Sequence, residues 1–210
     1  MKLTLGIKRK NQNMKKIVIN VAFFWSILIT SVSHADCACD KENDPGTPIN
    51  QAILSIMDVR DNALALKLLD EGMDPDTTNA CGAGLLLMSA YYNDIYLAQE
   101  LLSKGADPNI TNFSGETPVF AAAYISRNKI LEMLLMAGGN PNPESECMED
   151  KKHNTPLLIA AANNNIDGIK ILAEHGANIH YINSEGYSLE RIVNEKNIEE
   201  LYYLFSSSEE

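Results

Sequence analysis

Lys104-Gly-Ala-Asp-Pro-Asn109 is one of four versions of a single phrase. The others are Glu71-Gly-Met-Asp-Pro-Asp76, Ala137-Gly-Gly-Asn-Pro-Asn142 and His175-Gly-Ala-Asn-Ile-His180. Their leading glycines, Gly72, Gly105, Gly138 and Gly176, stand 33, 33 and 38 residues apart. Each phrase follows a paired aliphatic segment: Leu68-Leu69, Leu101-Leu102, Leu134-Leu135 and Ile171-Leu172. A second phrase leads each unit, clearest as Asn112-Phe-Ser-Gly-Glu-Thr-Pro118. Weaker forms start at Asn79, Asp150 and Asn183. A period of this length is the mark of a repeat architecture, in which each unit buries its apolar face only against its neighbours.

The chemistry of one unit explains both phrases. Thr117 and Thr155 each precede a proline and then an apolar run, the arrangement of an N-cap with Pro at the first helical position. The strips Ala121-Ala-Ala123 and Ala160-Ala-Ala162 let this first helix approach its neighbours closely. After a polar break at Asn93, at 126–128 or at 163–165, a second helix carries large residues at helical spacing. Examples are Ile130, Leu131, Leu134 and Leu135, and Ile166, Ile169, Ile171 and Leu172. The glycine that opens the closing phrase supplies its left-handed cap.

These residues resemble the ankyrin repeat, whose pattern runs Asp-x-x-Gly-x-Thr-Pro-Leu-His-x-Ala-Ala and ends Leu-Leu-x-x-Gly-Ala-Asp-x-Asn. The resemblance covers residues 50 to 205 and implies an all-α ankyrin-repeat solenoid of helix-turn-helix units with β-hairpin fingers. Four repeats, at 46–78, 79–111, 112–144 and 145–182, precede a truncated C-terminal cap that keeps two helices but lacks the closing glycine phrase. The family's inner-helix His is replaced by Leu87, Phe120 and Leu158, so apolar packing must do its work. The first unit diverges most, with Gln51-Ala52 where Thr-Pro would stand.

The resemblance further implies a binding module without catalysis, which grips another protein through the finger tips and the exposed face of the first helices. The usual contact positions fall on Tyr91, Tyr92, Tyr124 and Ile125 of the first helices. At the finger tips they fall on Phe113 and Glu116, on Lys151, Lys152 and Asn154, and on Ser184, Glu185 and Tyr187. Tyrosine and phenylalanine are the stuff of interface hot spots, although Phe113 fits a core position equally well. The five-residue excess between Gly138 and Gly176 falls in 143–152 and lengthens one finger, either as a binding element or as a tolerated surface loop.

Residues 1–35 read as a secretory signal: six bases and no acid, an uncharged stretch from Ile17 to Val32, then Ser33-His34-Ala35 before the cleavage point. The apolar core falls short of the roughly 20 residues that span a bilayer. Met14 is a second possible start. Residues 36–49 form a cysteine-containing linker, 50–206 the repeat domain and 207–210 a tail. Export to the periplasm favours disulfides among Cys37, Cys39, Cys81 and Cys147, which permit three pairings. Their spacing is poor for zinc.

Of the 210 residues, 45% are hydrophobic and 21% charged, an ordinary globular composition. Beyond Ala35 the net charge is −17 over 175 residues. So acidic a body disfavours nucleic acid and anionic lipid and favours a basic protein partner. His153, His175 and His180 stand beside no nucleophile in sequence, and no phosphate-cradling glycine loop occurs. The acids at 144–150 read as a solvated loop. No enzyme activity, metal or cofactor is expected, and the free protein is expected to be a monomer with no stable membrane insertion once the signal is cleaved.

The resulting expectation is an exported protein-binding module. It resembles small periplasmic ankyrin-repeat immunity proteins that neutralise type VI secretion effectors such as lipases, occluding a cognate toxin with the concave face. A periplasmic adaptor for oxidative-stress defence and a secreted effector binding host proteins are the alternatives.

Overall fold

The structure, a computed structural model, describes residues 47–59, 61–143 and 155–205. The described residues lie in one compact unit, Asp40–Glu210. They form nine α-helices and a closing 3-10 helix, with no strand among them. The helices come in pairs: α1 Pro48–Val59 with α2 Ala63–Asp70, α3 Leu85–Tyr92 with α4 Ile95–Ser103, and α5 Pro118–Tyr124 with α6 Asn128–Met136. Next come α7 Pro156–Ala162 with α8 Ile166–Glu174, and α9 Leu189–Lys196 with the 3-10 helix Glu199–Phe205. The first helices α1, α3, α5, α7 and α9 pack side by side in one layer and the second helices in another. One core of aliphatic and alanine side chains runs between the layers through all five units.

The local chemistry follows the phrases. Thr117 Oγ1 accepts from Phe120 N at 3.1 Å and Thr155 Oγ1 from Leu158 N at 3.3 Å, so both threonines are N-caps. Ala121, Ala122, Ala123, Ala160 and Ala161 are fully buried, which is what allows α3, α5 and α7 to approach one another. Each second helix from α2 to α8 ends on its glycine. Gly138, at φ 92°, lets the N–H of Gly139 reach back to Leu134 O at 2.9 Å, and the same backward bond recurs from Met73, Ala106 and Ala177. The turn between the helices of a pair uses a left-handed residue that is not glycine: Asn93, Ser126, Asn164 or Asn197.

The structure departs from the sequence expectation in four places. The first helix of the first unit starts a turn early, at Thr47-Pro48 rather than at Gln51-Ala52, and Asn50 N approaches Thr47 Oγ1 at 3.4 Å. The described fingers carry no paired strands. Among the described residues single antiparallel bridges occur, Thr78 with Gly84 and Ile182 with Ser188, and each described tip is closed by one side chain. Asn79, Asn112 and Asn183 each accept two backbone N–H bonds on Oδ1, from the residues two and four positions on. The second helix of the fifth unit is a 3-10 turn, with only Leu201 fully inserted into the core.

The fourth departure concerns what ties the units together. Leu87, Phe120 and Leu158, at the position of the missing His, are buried as expected. Yet polar ties exist as well. Asp76 accepts from Asp107 N at 2.8 Å, Asn109 from Asn140 N at 2.7 Å and Asn142 from Asn178 N at 2.8 Å. Asn109 and Asn142 also donate to Gly138 O and Gly176 O. A second rung joins the starts of the second helices, where Asn128 and Asn165 exchange side-chain bonds at 3.0 and 2.7 Å and Asn62 donates to Asp94 at 2.7 Å. Each rung spans one repeat boundary; the bonds of the first are exposed, and those of the second are half-buried and contribute on the order of 1 kcal/mol each.

Candidate functional site

The first helices, with the fingers that lead into them, make up one face of the stack and the second helices the other. In repeat register, Tyr91, Tyr124, Ala162 and Glu195 occupy one equivalent position on successive first helices, and Tyr92, Ile125, Asn163 and Lys196 occupy the next. The aromatic residues thus gather on α3 and α5, at the middle of the stack.

Their surroundings differ. Tyr124 is 42% exposed and stacks on Phe120 with ring centroids 6.4 Å apart. Tyr91 is half-buried against the core, and its phenol hydrogen-bonds with the carboxylate of Glu116 on the next finger. Burial first and the Glu116 charge second push the Tyr91 phenol well above its ordinary value of 10.0. Glu116 Oε2 also accepts from Asn112 Nδ2 at 2.8 Å. Tyr91 is therefore a tie between α3 and the third finger as well as part of the surface. Tyr92 and Ile125 are half-buried, Tyr92 packing against the core.

The finger residues divide in the same way. Phe113 is 40% exposed, donates its N–H to Cys81 O at 3.0 Å and lies over Gly82, where a Cβ would come within 3.2 Å of its ring. It both covers the second finger and shows an apolar face. Tyr187 is held under Arg191, whose guanidinium sits 4.5 Å from the ring centroid and also bonds Glu195 at 2.7 Å. Ser184 and Glu185 are exposed at the same tip. Lys151, Lys152 and Asn154, with the inserted segment, lie outside the described residues, as do the leader and Cys37, Cys39 and Cys147. Cys81 stands at the second finger, its backbone O accepting from Phe113 N, and the other three cysteines lie outside the described residues.

Charge is sparse on the central first helices and mixed on the second helices. Among the described residues, Lys67, Lys104, Lys129 and Lys170 all belong to the second helices or their ends. Three of them pair there, Lys67 with Glu71, Lys104 with Asp70 and Lys170 with Glu200. On the first-helix side, α3, α5 and α7 carry no charge at all, and Glu116, Glu185 and Glu190 stand among them and their fingers. Lys196, from α9, is turned onto the carbonyls ending α7, at 2.8 Å from Ala162 O. That placement answers the negative end of a helix.

The sequence reading passed over a few exposed residues on the other side. Tyr96 on α4 and Met136 at the end of α6 are 58% and 74% exposed, and Tyr202 and Tyr203 show on the 3-10 helix. Helical spacing alone places Tyr96 one position ahead of buried Leu97, which is the only signal that would have found it. Among the described residues no group of His, Cys, Asp and Glu could hold a metal ion, and no helix is long and apolar enough to cross a membrane.

A family model described as ankyrin repeats, in three copies, matches residues 49–145 and 85–183. No curated protein matches the chain. Proteins built of these repeats are generally binding modules that engage other proteins.

Proposed function

The chain belongs to the ankyrin-repeat family, and from that premise we propose that it binds one protein partner through the first-helix face of its central repeats. The observation that carries this reading is the placement of Tyr124, Tyr92, Ile125 and Phe113 on the first helices and finger of the central repeats, each at least partly open to solvent. Aromatic side chains in a polar frame are where interface energy concentrates. In this reading the compartment comes from the leader, and the partner's class from the resemblance to small periplasmic immunity proteins. A basic, apolar segment ahead of an acidic repeat body fits an immunity protein that waits in the periplasm and occludes a secreted antibacterial effector, a lipase being the preferred class. A disulfide from Cys81, at the second finger, would fit an oxidising compartment.

Two experiments test this in order. Affinity capture of the tagged protein from its native periplasm, repeated with Tyr92, Phe113 and Tyr124 changed together to Ala, should return a partner with the native chain and lose it with the variant. Retention of the same partner by a folded variant sinks the binding face. Deleting the gene should then sensitise cells to their own kin, with rescue by the native chain only when its leader is intact. Deleted cells that survive such contact as well as the parent contradict the immunity role.

A further inference from the structure

The last carbonyls of the first helices are answered differently at successive repeat boundaries. At the end of α7, Lys196 from the next first helix donates to Ala161 O at 3.3 Å, Ala162 O at 2.8 Å and Asn164 Oδ1 at 2.8 Å. At the end of α5, Asn163, the residue that corresponds to Lys196, donates to Tyr124 O at 2.6 Å. At the end of α3 the corresponding residue is Ile125, which is shorter than lysine and carries no side-chain donor.

The acceptors at the end of α3 are nonetheless built like those under Lys196. In the register set by Gly105 and Gly176, Ala161, Ala162 and Asn164 correspond to Ala90, Tyr91 and Asn93. Asn93 and Asn164 share the left-handed conformation, at φ 58° and 56°. The backbone around them bonds alike: Asn93 N donates to Ala90 O at 3.4 Å and Asn164 N to Ala161 O at 3.1 Å. The next amide returns to Ser89 O or to Ala160 O, at 2.9 Å in both. Among the described residues no side chain donates to Ala90 O, Tyr91 O or Asn93 Oδ1. Asn93 is exposed, as Asn164 is, and Tyr91 is only half-buried, so a group from solvent can reach the site.

We propose that the end of α3 is the seat of a lysine ammonium presented by the protein partner and held as Lys196 is held at α7. The chain's own lysine shows that these acceptors, in this geometry, take an ammonium. Three N–H donors on one nitrogen match three acceptors, which the flat fork of arginine does not. The negative end of the helix adds to the attraction, and the apolar stem of the lysine can lie along half-buried Tyr92 and Ile125. A partner that covered this helix end without a donor would strip water from the carbonyls and leave them unpaired. The inference rests on the first-helix face being the binding face, and adds what that face selects.

The test titrates n-butylammonium, tetramethylammonium and 1-butanol into the purified protein and follows amide and carbonyl NMR signals. Tetramethylammonium keeps the charge without N–H donors, and butanol keeps the stem without the charge. Saturable shifts are expected at Ala90, Tyr91 and Asn93 with butylammonium, and binding about fivefold weaker or less with either control. Ile125→Lys should fill the seat from within and abolish those shifts. Asn93→Gly keeps the left-handed turn while removing Oδ1, and should weaken both the probe and the captured partner by about threefold or more. The comparison among probes needs no variant, so it stands even if a variant unfolds. Equal shifts with tetramethylammonium, or a butylammonium site unchanged in folded Ile125→Lys, overturn the proposal. So does a partner that binds folded Asn93→Gly as tightly as the parent. If the probe finds no seat while changing Tyr92, Phe113 and Tyr124 together to Ala still loses the partner, the binding face survives without it. If that folded triple variant keeps the partner, both readings fall.

Discussion

The third and fifth repeats are built to the same plan and differ in the number of neighbours. In the third, every residue of α5 from Pro118 to Ala123 is buried, between α3 on one side and α7 on the other. In the fifth, α9 buries only Leu189, Ile192 and Val193, and its other positions are charged or polar. The second elements differ likewise. Helix α6 buries Ile130, Leu131, Leu134 and Leu135, whereas the 3-10 turn buries Leu201 fully and packs Leu204 and Phe205 half-buried against the core. A repeat with two neighbours is held to small side chains where helices touch and large ones where layers meet, and a repeat with one neighbour is free to be soluble.

That contrast can be broken most sharply in the core. Leu134→Ala should cost about 2–5 kcal/mol in urea unfolding, since both flanking repeats hold the cavity open, and Leu201→Ala should fall at the low end of that range because the chain end can collapse. Equal losses would mean that the end repeat is as tightly framed as the middle one. Gly139→Ala comes next, at about 1–3 kcal/mol. A Cβ there would lie 2.7 Å from Val119 Cγ2 and 2.8 Å from Leu134 O, although the equivalent Ala106 and Ala177 fit their own sites. A neutral result would show that α5 and α6 are less close than described. The caps give a smaller difference: Thr117→Ala should cost about 1–2 kcal/mol and the more open Ser188→Ala about 0.5 kcal/mol.

The smallest effect expected is one of pH. The folded state raises the Tyr91 phenol above its ordinary 10.0, so the fold binds that proton more tightly than the unfolded chain does. Its contribution is complete below pH 10.0 and is lost as pH rises through the higher folded value. Melting temperature should therefore fall above that point, and fall less steeply in Tyr91→Phe. Parallel slopes for Tyr91→Phe and the parent would contradict the buried, Glu116-bonded phenol.

The helix pairs were legible because each boundary is written in a residue with one physical use: Thr before Pro to start, Gly at positive φ to stop. The early start at Thr47-Pro48 was missed for the same reason, since repeat register put the expected cap four residues later while the backbone used the cap chemistry actually present. The rungs from Asp76 to Asn178 were visible as repeated letters but not as bonds. Asp and Asn after a glycine serve their own turn equally well, and only the stacking distance brings Asp76 to the N–H of Asp107. At the described fingers the paired strands foreseen gave way to asparagine-closed turns, because one Oδ1 satisfies two tip amides without a ladder.

At the site, sequence placed Tyr91, Tyr92 and Tyr124 on one face. Spacing could not tell that Tyr91 turns inward to Glu116 while Tyr124 remains open. That distinction depends on a finger from the next repeat, 25 residues along the chain from Tyr91.

The most direct test of the whole reading compares two tyrosines on opposite layers. Tyr124→Ala and Tyr96→Ala remove similar exposed rings, one from the first-helix face and one from the second-helix face. Binding of the captured partner should weaken by about thirtyfold or more with Tyr124→Ala, the scale of an interface hot spot, and change less than about twofold with Tyr96→Ala. Loss of binding with Tyr96→Ala and none with Tyr124→Ala would place the interface on the other layer and contradict the account.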